Sequence, residues 1–211
     1  MNESQDQAVP AKCRQCSRPM TTPVVCDYCH ALSPGAAMTD YFTLLGLPRR
    51  FELDEDDLQA KYLALSRHAH PDYHTGDSPE VQQLHLQVSS AVNDAYRTLK
   101  DPAARGAYLL ELLGGASSAE DKSVPDGFLG TMMMLQEEIA DAKTGEETGD
   151  LDRIGRVLQT QHDGLMRRIT GLFEQYQEGM ACEAVRKGLL GEIRSQLNAV
   201  SYVKKLLSQL P

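Results

Sequence analysis

The sequence predicts an all-α protein, a helical hairpin followed by a three-helix bundle, with a small tetra-cysteine module in front. Three observations predict it. Apolar residues recur at steps of three, four or seven over long stretches. No segment alternates with period two for long enough to build more than short ribbons beside the cysteines. Clusters of Gly, Pro and Ser divide the chain into segments 1–37, 38–114 and 115–211.

In the first segment, Cys13-Arg14-Gln15-Cys16 and Cys26-Asp27-Tyr28-Cys29 are separated by nine residues. Each C-x-x-C turn directs two sulfurs to one side, and two such turns facing each other form a tetrahedral thiolate cage with bonds of about 2.3 Å to zinc. Iron takes the same four ligands in rubredoxin-like sites, so both metals remain open at this point. Fewer than about 40 residues cannot bury enough apolar surface to fold alone, so the metal supplies the stability. Four thiolates leave no open position for substrate. His30 follows Cys29 directly, but the tetrahedron is complete without it. The fifth cysteine, Cys182, reads as a small core residue.

From Asp40 to about Leu113 the pattern is helical. Leu58, Tyr62, Leu65 and Ala69 form one buried stripe, and Leu84, Val88, Ala91, Ala95 and Leu99 another. Between them HPDYHTGDSPE continues neither helix, because Pro71 and Pro79 disfavour it and Gly76 adds freedom. The segment 114–127 combines glycines, serines and a proline and reads as an interdomain linker. Three helical patterns follow it: about Phe128 to Ala142, Leu151 to Tyr176, and Val185 to Leu207. The connections TGEETGD and QEGM are short enough to join antiparallel neighbours.

The first of these helices carries two faces. Phe128, Met132, Leu135, Ile139 and Ala142 are spaced to pack inward, which leaves Leu129, Met133 and Glu137 aligned elsewhere beside Gly130 and Met134. Exposed methionines suit an adaptable binding surface, although the periodicity alone also allows all of them to be core. Between Ser118 and Asp150 there are nine acidic residues and two lysines, enough to steer a basic partner or simply to keep the region soluble.

Composition excludes other classes. A net charge of −9 over 211 residues argues against nucleic acid, whose binding rests on clustered Lys and Arg. No apolar run approaches the roughly 18 to 20 residues that span a bilayer, and MNESQDQAVPAK has neither a secretory nor a transit pattern. The expected compartment is the cytoplasm. There is no nucleophile–base pair, phosphate-cradling glycine loop or open metal site, so no catalytic activity is expected.

Taken together, DYFTLLGLP (40–48), His70-Pro71-Asp72, Val92-Asn93-Asp94-Ala95-Tyr96 with Leu99, and Arg105-Gly106-Ala107-Tyr108-Leu109-Leu110 resemble the HscB family of J-type co-chaperones in iron–sulfur cluster assembly. The similarity continues through Glu137-Glu138 and AVRKGLLGEIRS at 184–195. The cysteine module is similar to the N-terminal zinc segment of the animal forms. The resemblance implies that His70, Pro71 and Asp72 trigger ATP hydrolysis on a DnaK/HscA-type chaperone, with Lys61, Arg67 and His68 as the basic docking face. That face is sparse, because Asp54 to Asp57 make the start of its helix acidic and Tyr73 stands where many J-domains place lysine; without the loop it would read as an ordinary solvated face. Leu129, Met133, Met134 and Glu137, with Leu189, match the patch that holds an IscU-type scaffold. Rival readings are a general J-protein with another client and a zinc-ribbon nucleic-acid-binding protein with a helical oligomerisation tail.

Overall fold

The computed structural model describes residues 12–70, 78–144, 149–177 and 182–210. The loop residues Pro71 and Asp72 lie outside them, as do most of the two connections within the bundle. The all-α expectation holds: the described residues form seven α-helices, one 3-10 turn and no strand beyond a single bridge between Val25 and Leu32. The helices are α1 (Tyr41–Leu44), α2 (Glu55–Ala69), α3 (Pro79–Lys100), α4 (Pro102–Leu112), α5 (Phe128–Thr144), α6 (Gly149–Gln177) and α7 (Glu183–Leu207).

Two compact units divide after Pro102, so the cysteine module and the hairpin share one unit while α4 lies with the C-terminal helices. In the first unit α2 and α3 pack together, and α1 and the 3-10 turn Ala36–Met38 lie against α3. Leu58, Leu65, Ala69, Val88, Ala95 and Leu99 are buried as expected. Tyr62 is only half-buried; its ring stacks on Tyr96 at 4.1 Å and its hydroxyl pairs with Asn93 at 3.0 Å.

The acidic start of α2 has a structural cause. Asp54 caps the helix by accepting from the N–H groups of Asp56 and Asp57 at 2.9 and 3.2 Å, and Glu55, Asp56 and Asp57 face the positive end of the helix dipole. These carboxylates stabilise the end of α2 remote from His70.

Asp40 works similarly at α1. It accepts from Phe42 N and Thr43 N at 3.1 Å each and from Arg49 at 2.7 Å. Burial alone would raise its pKa, but the Arg49 guanidinium and the Thr43 donors outweigh that and hold it below the usual carboxylate range. A depressed folded pKa contributes stability above the unfolded value of about 4, lost as pH falls further. Asp40→Asn will therefore lower the melting temperature of the first unit at neutral pH, and the gap to wild type will close below about pH 4.

In the second unit α6 packs along α7, and α5 lies on both. Phe128, Met132, Leu135, Ile139, Ile154, Leu158, Ala199, Val203 and Leu206 form one core. The 114–127 segment is not a free linker: Asn198 on α7 donates to the carbonyls of Asp121 and Ser123 at 2.9 and 2.8 Å. One further expectation, on Cys182, is corrected. Cys182 is exposed at the N-cap of α7 rather than in the core, and Val185, in the first turn, is 52% exposed. The apolar periodicity of α7 outruns its packing, which begins at Leu190.

Candidate docking faces and metal centre

The two cysteine turns are built alike. Cys13 N donates to Arg18 O at 2.8 Å and Ser17 N to Cys13 O at 2.9 Å; thirteen residues on, Cys26 N donates to Ala31 O at 3.0 Å and His30 N to Cys26 O at 2.9 Å. Each turn closes through a residue with positive φ, Ser17 at 59° and His30 at 58°, a conformation uncommon outside glycine. This brings all four sulfurs within 4.8 Å of one another. Sγ of Cys13 lies 3.6 Å from that of Cys29, and Sγ of Cys16 is 3.6 Å from that of Cys26. Those separations are too long for disulfides and match the edge of about 3.8 Å in a tetrahedron with 2.3 Å metal–sulfur bonds.

The thiols are tuned unequally. Backbone N–H groups of Cys16 and Gln15 hold Cys13 down at about 7, and those of Cys29 and Tyr28 lower Cys26. The Ala31 N–H favours the thiolate of Cys29, yet burial and the sulfurs of Cys16, Cys13 and Cys26 push that thiol up to about 12. Crowded thiols compete for charge, and a cation at the centre removes the competition. Cys13, Cys16, Cys26 and Cys29 can hold one metal ion as a closed structural site.

At the other end of α2, His70 is the exposed C-cap, with φ −65° and ψ 123°, an extended backbone that suits the proline after it. Arg67 and His68, one turn earlier, are exposed. Lys61 is placed differently from a free docking charge: its Nζ donates to Gly46 O at 2.8 Å and pairs with Asp57 at 2.9 Å. It ties α2 to the turn after α1.

On α5 the two faces separate cleanly. Met132 is 5% exposed, whereas Leu129, Met133 and Met134 are 48%, 64% and 65% exposed, with Glu137 exposed beside them. Glu138, next in sequence, is engaged by Arg153 at 2.8 Å. Leu189 on α7 is half-buried. It lies roughly 10 Å along the helix axis, at 1.5 Å per residue, from Gln196, the α7 residue that lines a surface hollow with Phe128. The four α5 residues share one uncovered face of that helix, and Leu189 lies on α7.

Residues 40–108 match the DnaJ domain, and residues 124–210 match the HSCB C-terminal oligomerisation domain. A co-chaperone protein HscB homolog of Neisseria meningitidis is 31% identical over 77% of this chain and 99% of its own length. The chain belongs to the HscB co-chaperone family. The mouse iron-sulfur cluster co-chaperone protein HscB is 33% identical over 77% of this chain and 68% of its own. The crystal structure of human co-chaperone protein HscB superposes with a TM-score of 0.76 at 25% identity, covering 93% of this chain and 95% of that one. HscB from Vibrio cholerae gives 0.66 at 26% identity, over 81% and 94%. Among the described residues of this HscB-family chain, no helix is long and apolar enough to cross a membrane.

One contact escaped sequence reasoning. His30 stacks on His68 with ring centroids 4.9 Å apart and planes within 10°, joining the cysteine module to the end of α2. The only signal was an imidazole beside a cysteine of the cage, which reads first as a spare ligand.

Proposed function

We propose that this HscB-family protein is a two-ended adaptor without catalytic activity of its own. The J-domain engages a DnaK/HscA-type chaperone and stimulates its ATPase, and the C-terminal bundle delivers an IscU-type scaffold during iron–sulfur cluster assembly and transfer. The reading is carried by one observation: a single chain joins an exposed His70 at the tip of α2 to a helix that leaves Leu129, Met133 and Met134 uncovered. Arg67 supplies the positive charge of the docking end, with the His68 imidazole beside it. With few charges involved, docking is salt-sensitive. The α5 methionines offer an adaptable apolar contact, and Glu137 gives it a charged edge. Leu189 serves as an outlying contact for the same partner.

Zinc is the metal proposed for the cage, because four thiolates at tetrahedral spacing suit a redox-inert closed site; iron is the rival occupant. Thiol ligation fits a reducing compartment, here the cytoplasm. Single-turnover ATP hydrolysis by the purified chaperone tests the function. The protein accelerates it and His70→Gln returns it to the unstimulated rate; no acceleration by wild type, or full acceleration by the variant, refutes the proposal.

A further inference from the structure

The cysteine module and the end of the hairpin enclose a groove of about 1200 Å³. One wall is the second cysteine turn, Cys29 to Leu32, and the other is Arg67 and His68 of α2 with Val81 and Leu84 of α3. The stacked rings of His30 and His68 bridge the two walls. Its lining is apolar within and cationic at the rim. Met20, Leu32 and Leu84 contribute apolar surface, Met38 stands 82% exposed beside it, and Lys12, Arg14 and Arg67 supply charge. Among the described residues lining it there is no carboxylate.

We infer that this groove is a second docking surface for the chaperone ATPase, taking an acidic, aliphatic segment of that partner, so that the metal module is part of the chaperone interface. The inference rests on the adaptor reading above. Two observations select the occupant. The cationic rim and apolar lining complement aliphatic side chains interspersed with Asp or Glu. The groove is also continuous with the end of α2, where Arg67 and His68 belong both to its wall and to the docking face beside His70. The scaffold's proposed contacts lie on α5 and α7 instead. The metal then has a second consequence: by holding the Cys29 turn in place it positions His30 against His68 and keeps the wall standing.

The test compares the affinity of the purified chaperone ATPase for full-length wild type, Arg14→Glu and Met38→Glu. Both side chains are exposed and neither ligates the metal. Each variant is expected to bind the chaperone roughly tenfold more weakly, with metal content, melting temperature and scaffold affinity unchanged. Raising salt will weaken wild type more than Arg14→Glu. Undiminished chaperone affinity in both variants overturns the inference, and so does a loss of scaffold affinity in place of it. The adaptor reading fails separately, when wild type itself neither binds the chaperone nor speeds its hydrolysis.

Discussion

Replacing Cys26 with serine will release the metal and unfold the module, while α5, α6 and α7 keep their stability. Cys26 is fully buried and supplies one of the four sulfurs of the cage. Around it residues 12–39 offer only a 3-10 turn, one isolated bridge and a few buried side chains such as Val24, Leu32 and Ala36. That is too little apolar burial to offset the entropy of ordering the segment, so on the proposed reading metal–thiolate bonds supply the difference. Elemental analysis will find about one metal per wild-type chain and close to none for Cys26→Ser. Metal retention will also depend on pH. In the metal-free cage the crowding of the sulfurs on one another pushes Cys29 up and so keeps part of the cage protonated at neutral pH, and loading must expel protons. Affinity therefore falls as pH falls, and titration in buffers of different ionisation enthalpy will register proton release on binding. A Cys26→Ser protein that keeps its metal and the wild-type melting profile contradicts this account.

Adjacent methionines on α5 will give opposite results. Met133→Ser removes an exposed side chain, so stability will change by less than about 0.5 kcal/mol, while affinity for an IscU-type scaffold drops roughly tenfold to a hundredfold, the worth of one buried apolar contact. Leu129→Ser will behave in the same way. Met132→Ser removes a core side chain packed with Phe128 and Val203 and will cost about 2 to 5 kcal/mol of unfolding free energy. Chemical denaturation and scaffold-binding isotherms on the three variants read both quantities. Equal loss of scaffold affinity from Met132→Ser at a temperature where it is fully folded, with Met133→Ser silent, would place the client face elsewhere.

Helical periodicity placed Met132 on the inward stripe and Met133 on another face, because it sorts residues by angle, but it left open whether that second face was also core; the structure leaves Met133 exposed. The cage was legible because ligand spacing within a C-x-x-C turn is a local property. Where tertiary contact decides, sequence is weaker. The register of apolar residues in α7 extends to Val185, yet the first turns of that helix pack against little, so Val185 and Cys182 remain exposed. Lys61 carries the charge of a docking residue but is held by Asp57 and the carbonyl of Gly46, a partner fifteen residues away that no local pattern announces. His30 and His68 are 38 positions apart in sequence; only the fold of the module against α2 makes them neighbours. The Gly- and Ser-rich stretch before α5 looked like a tether, and the amide of Asn198 fastens it.

As an adaptor, the proposed role requires one chain to hold two partners at once through separate faces. Its most direct measurement passes a hydrolysis-deficient DnaK/HscA-type ATPase in its ATP state, together with an IscU-type scaffold, over the immobilised full-length protein. The account predicts that both are retained together, that His70→Gln releases only the chaperone, and that Met133→Ser releases only the scaffold. Mutually exclusive retention, with the scaffold displacing the chaperone, would contradict it.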